Sequence, residues 1–205
     1  NTLERHKGHG DLNPGRMAGI VMTFVLGCDP GLHGAMCLMV NDGMIVEIAD
    51  IPASKVHLKS GAVRSEVDAY ALANIIDAWT KLGLIGLAAV ERVQAIGAGV
   101  SASGKKTGDG AVGAFAFGEA AGTIRGVLSA FFIPITRPSP QEWRRALQIP
   151  RVAKGDKSAV FAAADAAFPD HRHLWRGSRG GLKPDRAESA LIALWCARVA
   201  VKDAA

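Results

Sequence analysis

The sequence has little with which to cross-link itself and nothing with which to span a bilayer. Three cysteines (Cys28, Cys37, Cys196) in 205 residues form an odd, widely spaced set. That excludes a small disulfide scaffold and offers no zinc-ligand spacing; set among apolar neighbours, they read as reduced interior thiols in a cytosol-like compartment. No apolar run approaches the roughly 18 residues of a membrane-spanning helix, so no membrane partner is expected. No secretory cleavage-site pattern is visible, and the chain reads as not secreted. No internal repeat is present. What is there is 49% hydrophobic and 21% charged, the composition of a soluble domain with a real core rather than of a disordered or collagen-like chain.

Charge is unevenly placed. Lys and Arg number 24 against 19 Asp and Glu, a net +5. The stretch 139–186 holds Arg144, Arg145, Arg151, Lys154, Lys157, Arg172, Arg176, Arg179, Lys183 and Arg186 against five acids, so it carries the whole excess. A local cationic surplus is what a phosphate-backbone binder needs, because Lys and Arg displace condensed counterions.

Residues 1–21 are rich in Gly, His and charge without periodicity, and are expected to be a leader or expression remnant outside the fold. From Met22 the pattern becomes that of a single mixed α/β domain, 22–205. Thr23–Asp29, Gly34–Val40 and Met44–Asp50 are three apolar, β-rich runs. Asp-Pro-Gly and Asn41-Asp42-Gly43 join them by tight turns, which predicts an antiparallel meander. Val67–Leu82 has helical spacing, Leu87–Val90 is a buried strand, and Ala95–Gly113 reads as a Gly/Ser/Lys loop. Ala114–Phe131 is helical, Phe132–Thr136 a strand, and Ser139-Pro140-Gln141-Glu142 a capped helix start. Lys157–Phe168 and Asp185–Val201 are two further helices. The order predicts a five-stranded mixed sheet, a meander plus parallel strands, flanked by helices.

Four acids stand where acids do not help folding. Asp29 closes the apolar run Phe24-Val25-Leu26-Gly27-Cys28, and Glu91 follows Leu87-Ala88-Ala89-Val90. Asp185 and Glu188 lie three apart and share one face of the last helix. Crowded, half-buried carboxylates cost several kcal/mol unless a cation joins them. Mg²⁺, a hard ion with oxygen ligands, is the natural partner, with Mn²⁺ able to substitute. Two such ions held by several carboxylates suit in-line phosphodiester hydrolysis.

The motifs, in order, are Gly27-Cys28-Asp29-Pro30-Gly31 with Gly34-Ala35, then Val90-Glu91, then Phe117-Gly118-Glu119 with Gly122 and Gly126. Ile133-Pro134-Ile135, Pro138-Ser139-Pro140-Gln141-Glu142-Trp143 and Asp156-Lys157-Ser158 follow, and Asp185-Arg186-Ala187-Glu188-Ser189-Ala190-Leu191 comes last. From about Thr23 to Val201 this series resembles the RuvC-like Holliday-junction resolvases, in particular the phage, viral and chloroplast branch, within the ribonuclease H-like superfold. The resemblance implies a homodimeric, Mg²⁺-dependent endonuclease that nicks two opposing strands of a four-way DNA junction and leaves 5′-phosphate ends. It implies a cytoplasmic, nucleoid-associated place in a bacterial or phage-infected cell. Carried over position by position, it makes Asp29, Glu91, Asp185 and Glu188 the metal ligands, with Asp29 bridging. Lys157 becomes the catalytic cation that neutralises charge on the scissile phosphate. Where the bacterial form has an aromatic wedge shortly after the strand-end Glu, this chain has Arg92, Val93 and Gln94, and the wedge stays unassigned.

The DNA-contacting candidates are Lys105 and Lys106 in the Gly/Ser loop, Arg144, and Arg176, Arg179 and Lys183 before the last helix. His171 and His173 lack a third ligand and read as surface residues. Gly118, Gly122 and Gly126 make one helix face that either forms a dimer seam or packs on the sheet. The four acids equally suit a ribonuclease H-like nuclease acting on RNA–DNA hybrids or flaps. An actin-like nucleotide-binding fold would need a second lobe for which there is no room. A DNA-binding module without catalysis would not need the four acids.

Overall fold

The computed structural model describes residues 23–57, 59–92, 99–100, 106–107, 110–153, 155–177 and 180–200. The expected leader 1–21 lies outside them. Strands β1 (Thr23–Asp29), β2 (Ala35–Val40) and β3 (Ile45–Asp50) form the expected meander. β1 and β2 run antiparallel from Phe24 opposite Val40 to Asp29 opposite Ala35. Gly43, at φ +99°, supplies the left-handed residue of the turn between β2 and β3.

β4 (Ala53–His57) and β5 (Val63–Val67) form a separate exposed hairpin. Its side chains are mostly polar, so apolar periodicity gives no sign of it. Arg64 ties it to Glu119 of the second helix at 3.7 Å. Helix α1 (Ala69–Thr80) follows, capped by the Asp68 carboxylate at the Ala71 amide, 3.0 Å. β6 (Leu84–Val90) returns parallel to β1. Two residue pairs, β7 (Gly99–Val100) and β8 (Lys106–Thr107), are antiparallel within the expected loop, and α2 (Gly110–Ala130) begins four residues sooner than Ala114.

The predicted strand Phe132–Thr136 shortens to β9 (Ile135–Thr136). Phe132 takes φ +56° and is 93% exposed, because the chain reverses there to leave α2. Then come α3 (Pro140–Ala146), α4 (Ser158–Ala167), a 3₁₀ segment (Pro169–Trp175), α5 (Pro184–Trp195) and a terminal π turn (Cys196–Ala200). The capping box at Ser139 and Glu142 forms as expected.

The main sheet has the order β3-β2-β1-β6-β9, antiparallel through β1 and parallel beyond it. This is the five-stranded mixed sheet expected of a ribonuclease H-like fold. Alternation along β1 decides which side chain faces where. Phe24, Leu26 and Cys28 join one apolar cluster with Leu72 and Ile76 of α1 and Ile124 and Leu128 of α2. Val25 joins the opposite cluster, with Trp143 of α3, Val160 of α4, Trp175 and most of α5. Trp79, Trp143 and Trp175 are fully buried and Trp195 is half-buried. All three cysteines are buried free thiols.

Gly118, Gly122 and Gly126 face open space: a Cβ at any of them would meet nothing within 4 Å. α2 packs through Ala120, Ala121, Ile124 and Leu128 instead. Of the two roles open to that glycine face, packing on the sheet is therefore excluded. No helix among the described residues is long and apolar enough to cross a membrane.

Candidate active site

Asp29 has the same parity along β1 as Val25 and Gly27, so it belongs to the α5 side of the sheet. Gly27 is what lets α5 come close. A Cβ there would collide with the Ser189 carbonyl and the Ala193 backbone, so only glycine permits this strand–helix contact. α5 begins at Pro184, and the i, i+3 spacing turns Asp185 and Glu188 together toward the end of β1. The three carboxylates of Asp29, Asp185 and Glu188 each offer an oxygen within 4.8 Å of the others. Glu91, just past β6, is fixed by the amide of its own residue, which donates to the Cys28 carbonyl at 2.9 Å. Its carboxylate accepts a 2.6 Å hydrogen bond from the indole of Trp143. Residues some 160 positions apart in sequence thus meet at one end of the sheet.

The site is short of positive charge. Burial pushes the Asp29 carboxyl well above the usual range, and the neighbouring Glu188, Glu91 and Asp185 push it further; only Lys157 opposes them. Burial likewise raises Glu91, where the Trp143 hydrogen bond partly offsets it. Burial and then Glu188 raise Asp185. Glu188, 5% exposed, is held by two cations: Arg144 reaches one oxygen at 2.5 Å and Lys157 the other at 2.7 Å. Arg144 also lies over the Trp143 ring, 5.0 Å from its centroid.

Two cations therefore face four acids. The donors are all carboxylate oxygens, with no imidazole or thiolate among them. Cys28 is adjacent in sequence but points into the opposite cluster. An all-oxygen, over-negative, partly desolvated group fits a hard divalent cation such as Mg²⁺. A cleft of about 370 Å³ opens beside Asp29 and Asp185, between the Pro30–Gly34 turn and Phe117 of α2.

The other sequence-predicted residues are placed as follows. Lys157 lies in the site, at the start of α4. Arg144 does too, engaged with Glu188 rather than standing free on a surface. Arg176 pairs with Asp165 at 2.9 Å and Lys183 with Asp50 at 2.9 Å, so each of these cations already has a carboxylate partner. Lys106 lies in β8. Lys105 and Arg179 fall outside the described residues. His171 and His173 stack on each other, ring centroids 6.5 Å apart, and belong to no metal-ligand cluster among the described residues.

Sequence reasoning missed two supports. Trp143 has a place in the core by composition, but nothing in the sequence ties its N–H to an acid 52 residues earlier. Asp50, at the end of β3, accepts from Arg186 Nε at 2.5 Å and from Lys183, and so anchors the start of α5 to the sheet. Its carboxyl is lowered to about 2, the Arg186 hydrogen bond being the main cause. An Asp at a strand end beside a turn carries no signal of that pairing.

No protein-family model and no curated protein matches the sequence. Among solved structures, the chain is similar to Thermus thermophilus RuvC in complex with a Holliday junction substrate. The identity is 14%, over 87% of this chain and 96% of that one, with a TM-score of 0.49. A second T. thermophilus RuvC structure gives 15% identity over 86% and 96%, TM-score 0.46. The yeast mitochondrial Holliday junction resolvase Ydc2 gives 15% over 87% and 79%, TM-score 0.42.

Proposed function

We propose that this chain is a structure-selective DNA endonuclease that resolves four-way junctions by metal-dependent, symmetric nicking and leaves 5′-phosphate ends. The observation that carries the reading is the meeting of Asp29, Asp185 and Glu188 within 4.8 Å, with Glu91 beside them. It is joined to a motif series running in resolvase order along nearly the whole chain. Opposed nicks in two strands need two such sites, so the working form is a homodimer. The nuclease domain spans 22–205, and the protein acts where its DNA is, at the nucleoid.

Asp29, Glu91, Asp185 and Glu188 would hold the divalent ions, Mg²⁺ or Mn²⁺. When bound, such ions polarise the phosphoryl oxygens and lower the pKa of water. The protein's own groups do the positioning. Gly27 and the Asp50–Arg186 pair set α5 against β1, which fixes Asp185 and Glu188 relative to Asp29. Trp143 orients Glu91 by its indole N–H. Lys157 and Arg144 carry the site's positive charge, and Lys157 is placed to stabilise negative charge developing on the scissile phosphate. Burial of the acids keeps competing water away from them and strengthens every electrostatic interaction nearby.

The test is a cleavage assay on a synthetic four-way junction, a linear duplex and an RNA–DNA hybrid, each with Mg²⁺ and with EDTA. Paired, symmetric nicks in the junction alone, only with the metal, are expected. Preferred cleavage of the hybrid would make the protein a ribonuclease H-like nuclease instead, and cleavage undiminished in EDTA would refute the metal site.

A further inference from the structure

A second cavity is bordered by Arg144 and by none of the site's four acids. It measures about 460 Å³ and is lined by Pro140, Gln141, Arg144, Arg145, Ile149, Pro150, Arg151 and Val152. Three guanidinium groups border it and no carboxylate does. Among the described residues neither Arg145 nor Arg151 has a carboxylate within ion-pair reach. That contrasts with Arg176, which reaches Asp165, and with Lys183 and Arg186, which share Asp50. Arg144 is shared. One of its terminal nitrogens holds Glu188, while its Nε is buried with no hydrogen-bond partner. Arg144 therefore borders the cavity with its charge already shared, while the guanidinium forks of Arg145 and Arg151 are the groups left to meet an anion there.

We propose that this cavity is a phosphate subsite for the DNA strand: Arg145 and Arg151 grip one backbone phosphate, Ile149 and Pro150 support the sugar beside it, and Arg144 links the subsite to the metal-binding acids. The proposal rests on DNA being the substrate. It adds a contact that fixes the strand's register beside the scissile position, a role for planar donor forks rather than for base reading.

The experiment compares wild type with the double variant Arg145→Gln/Arg151→Gln and with a control of equal charge loss elsewhere, Lys55→Gln/Lys81→Gln. Binding of a labelled four-way junction is followed by fluorescence anisotropy in EDTA, from 50 to 200 mM NaCl. Losing one phosphate contact should make the slope of log K against log salt shallower by about 0.9. The fall in affinity over that range then becomes about 3.5-fold smaller, with little change in the control. In the cleavage assay KM should rise about tenfold while kcat stays within twofold, because neither residue touches the acids. A double variant with wild-type slope and KM overturns the subsite, and so does a control that shifts as far as the double variant. The anisotropy measurement needs no cleavage and is repeated on linear duplex. A protein that binds with the expected slopes but cuts no junction would therefore sink the function and keep the subsite.

Discussion

Replacing Asp29 by Asn should make the metal-free protein more stable while destroying its response to metal. The carboxylates of Asp29, Asp185 and Glu188 present oxygens within 4.8 Å of one another. Two full charges at that separation repel by about 3.5 kcal/mol at an effective dielectric of 20. Two things reduce this. Arg144 and Lys157 cancel much of the Glu188 charge, and Asp29 itself, with its raised pKa, relieves the repulsion by partial protonation. A net gain of about 1–2 kcal/mol is therefore expected in EDTA, or roughly 2–8 °C in Tm for a chain of this size. The amide is isosteric, and its N–H can donate in the hydrogen bond that joins the side chains at positions 29 and 185.

The pH dependence gives the sign independently. The Asp29, Glu91 and Asp185 carboxyls are raised relative to the unfolded chain. The folded state therefore holds more protons, and their contribution to stability is greatest below the unfolded carboxylate pKa. It is lost as pH rises through the raised folded values. Metal-free wild type should lose Tm from pH 5 to pH 8, and Asp29→Asn should flatten that decline. Millimolar Mg²⁺ should raise wild-type Tm by mass action and leave the variant unmoved. Differential scanning calorimetry with and without EDTA reads all three. A variant less stable than wild type in EDTA, or one that keeps the Mg²⁺ shift, refutes the reasoning.

Lys157→Ala should lower turnover on the junction by about 10²–10³, by analogy with removing one preorganised donor, with binding nearly intact; single-turnover kinetics measure it. Trp143→Phe keeps most of the packing but deletes the indole N–H that holds Glu91. Metal affinity, read by calorimetric titration with Mn²⁺, should fall about 10- to 100-fold, and an unchanged isotherm would mean that Glu91 needs no such support. Gly27→Ala drives a methyl into the α5 backbone and should cost at least about 1–3 kcal/mol in urea unfolding, more than overpacking between side chains alone. Asp50→Asn should loosen α5 from the sheet; hydrogen exchange at the first turn of α5 should quicken while α1 amides stay as protected as before.

The chain's local chemistry determined a good deal by itself. Short apolar, β-rich runs and the Asn-Asp-Gly turn fix the β1–β3 meander, and Ser139 with Glu142 fixes the start of α3. Each of these is an interaction among residues a few positions apart, which the sequence records directly. The acids were legible for a related reason: Asp29 and Glu91 end runs so apolar that a charge there needs a purpose. The hairpin β4–β5 was not legible, because its faces are exposed and polar and its pairing shows no hydrophobic period. Nor was the chain reversal at Phe132, where the path of the backbone overrides a strand-favouring residue.

What only the tertiary structure decided is who stands next to whom. Parity along β1 puts Asp29 on the α5 face, and the bare Gly27 brings α5 near enough for Asp185 and Glu188 to meet it. The same packing turns Arg144 inward to Glu188, leaves Arg145 and Arg151 open, and gives Arg176 and Lys183 carboxylate partners, although all five look alike as basic residues in a row. Long-range electrostatics depends on distance through space, and the spacing along a chain does not encode it.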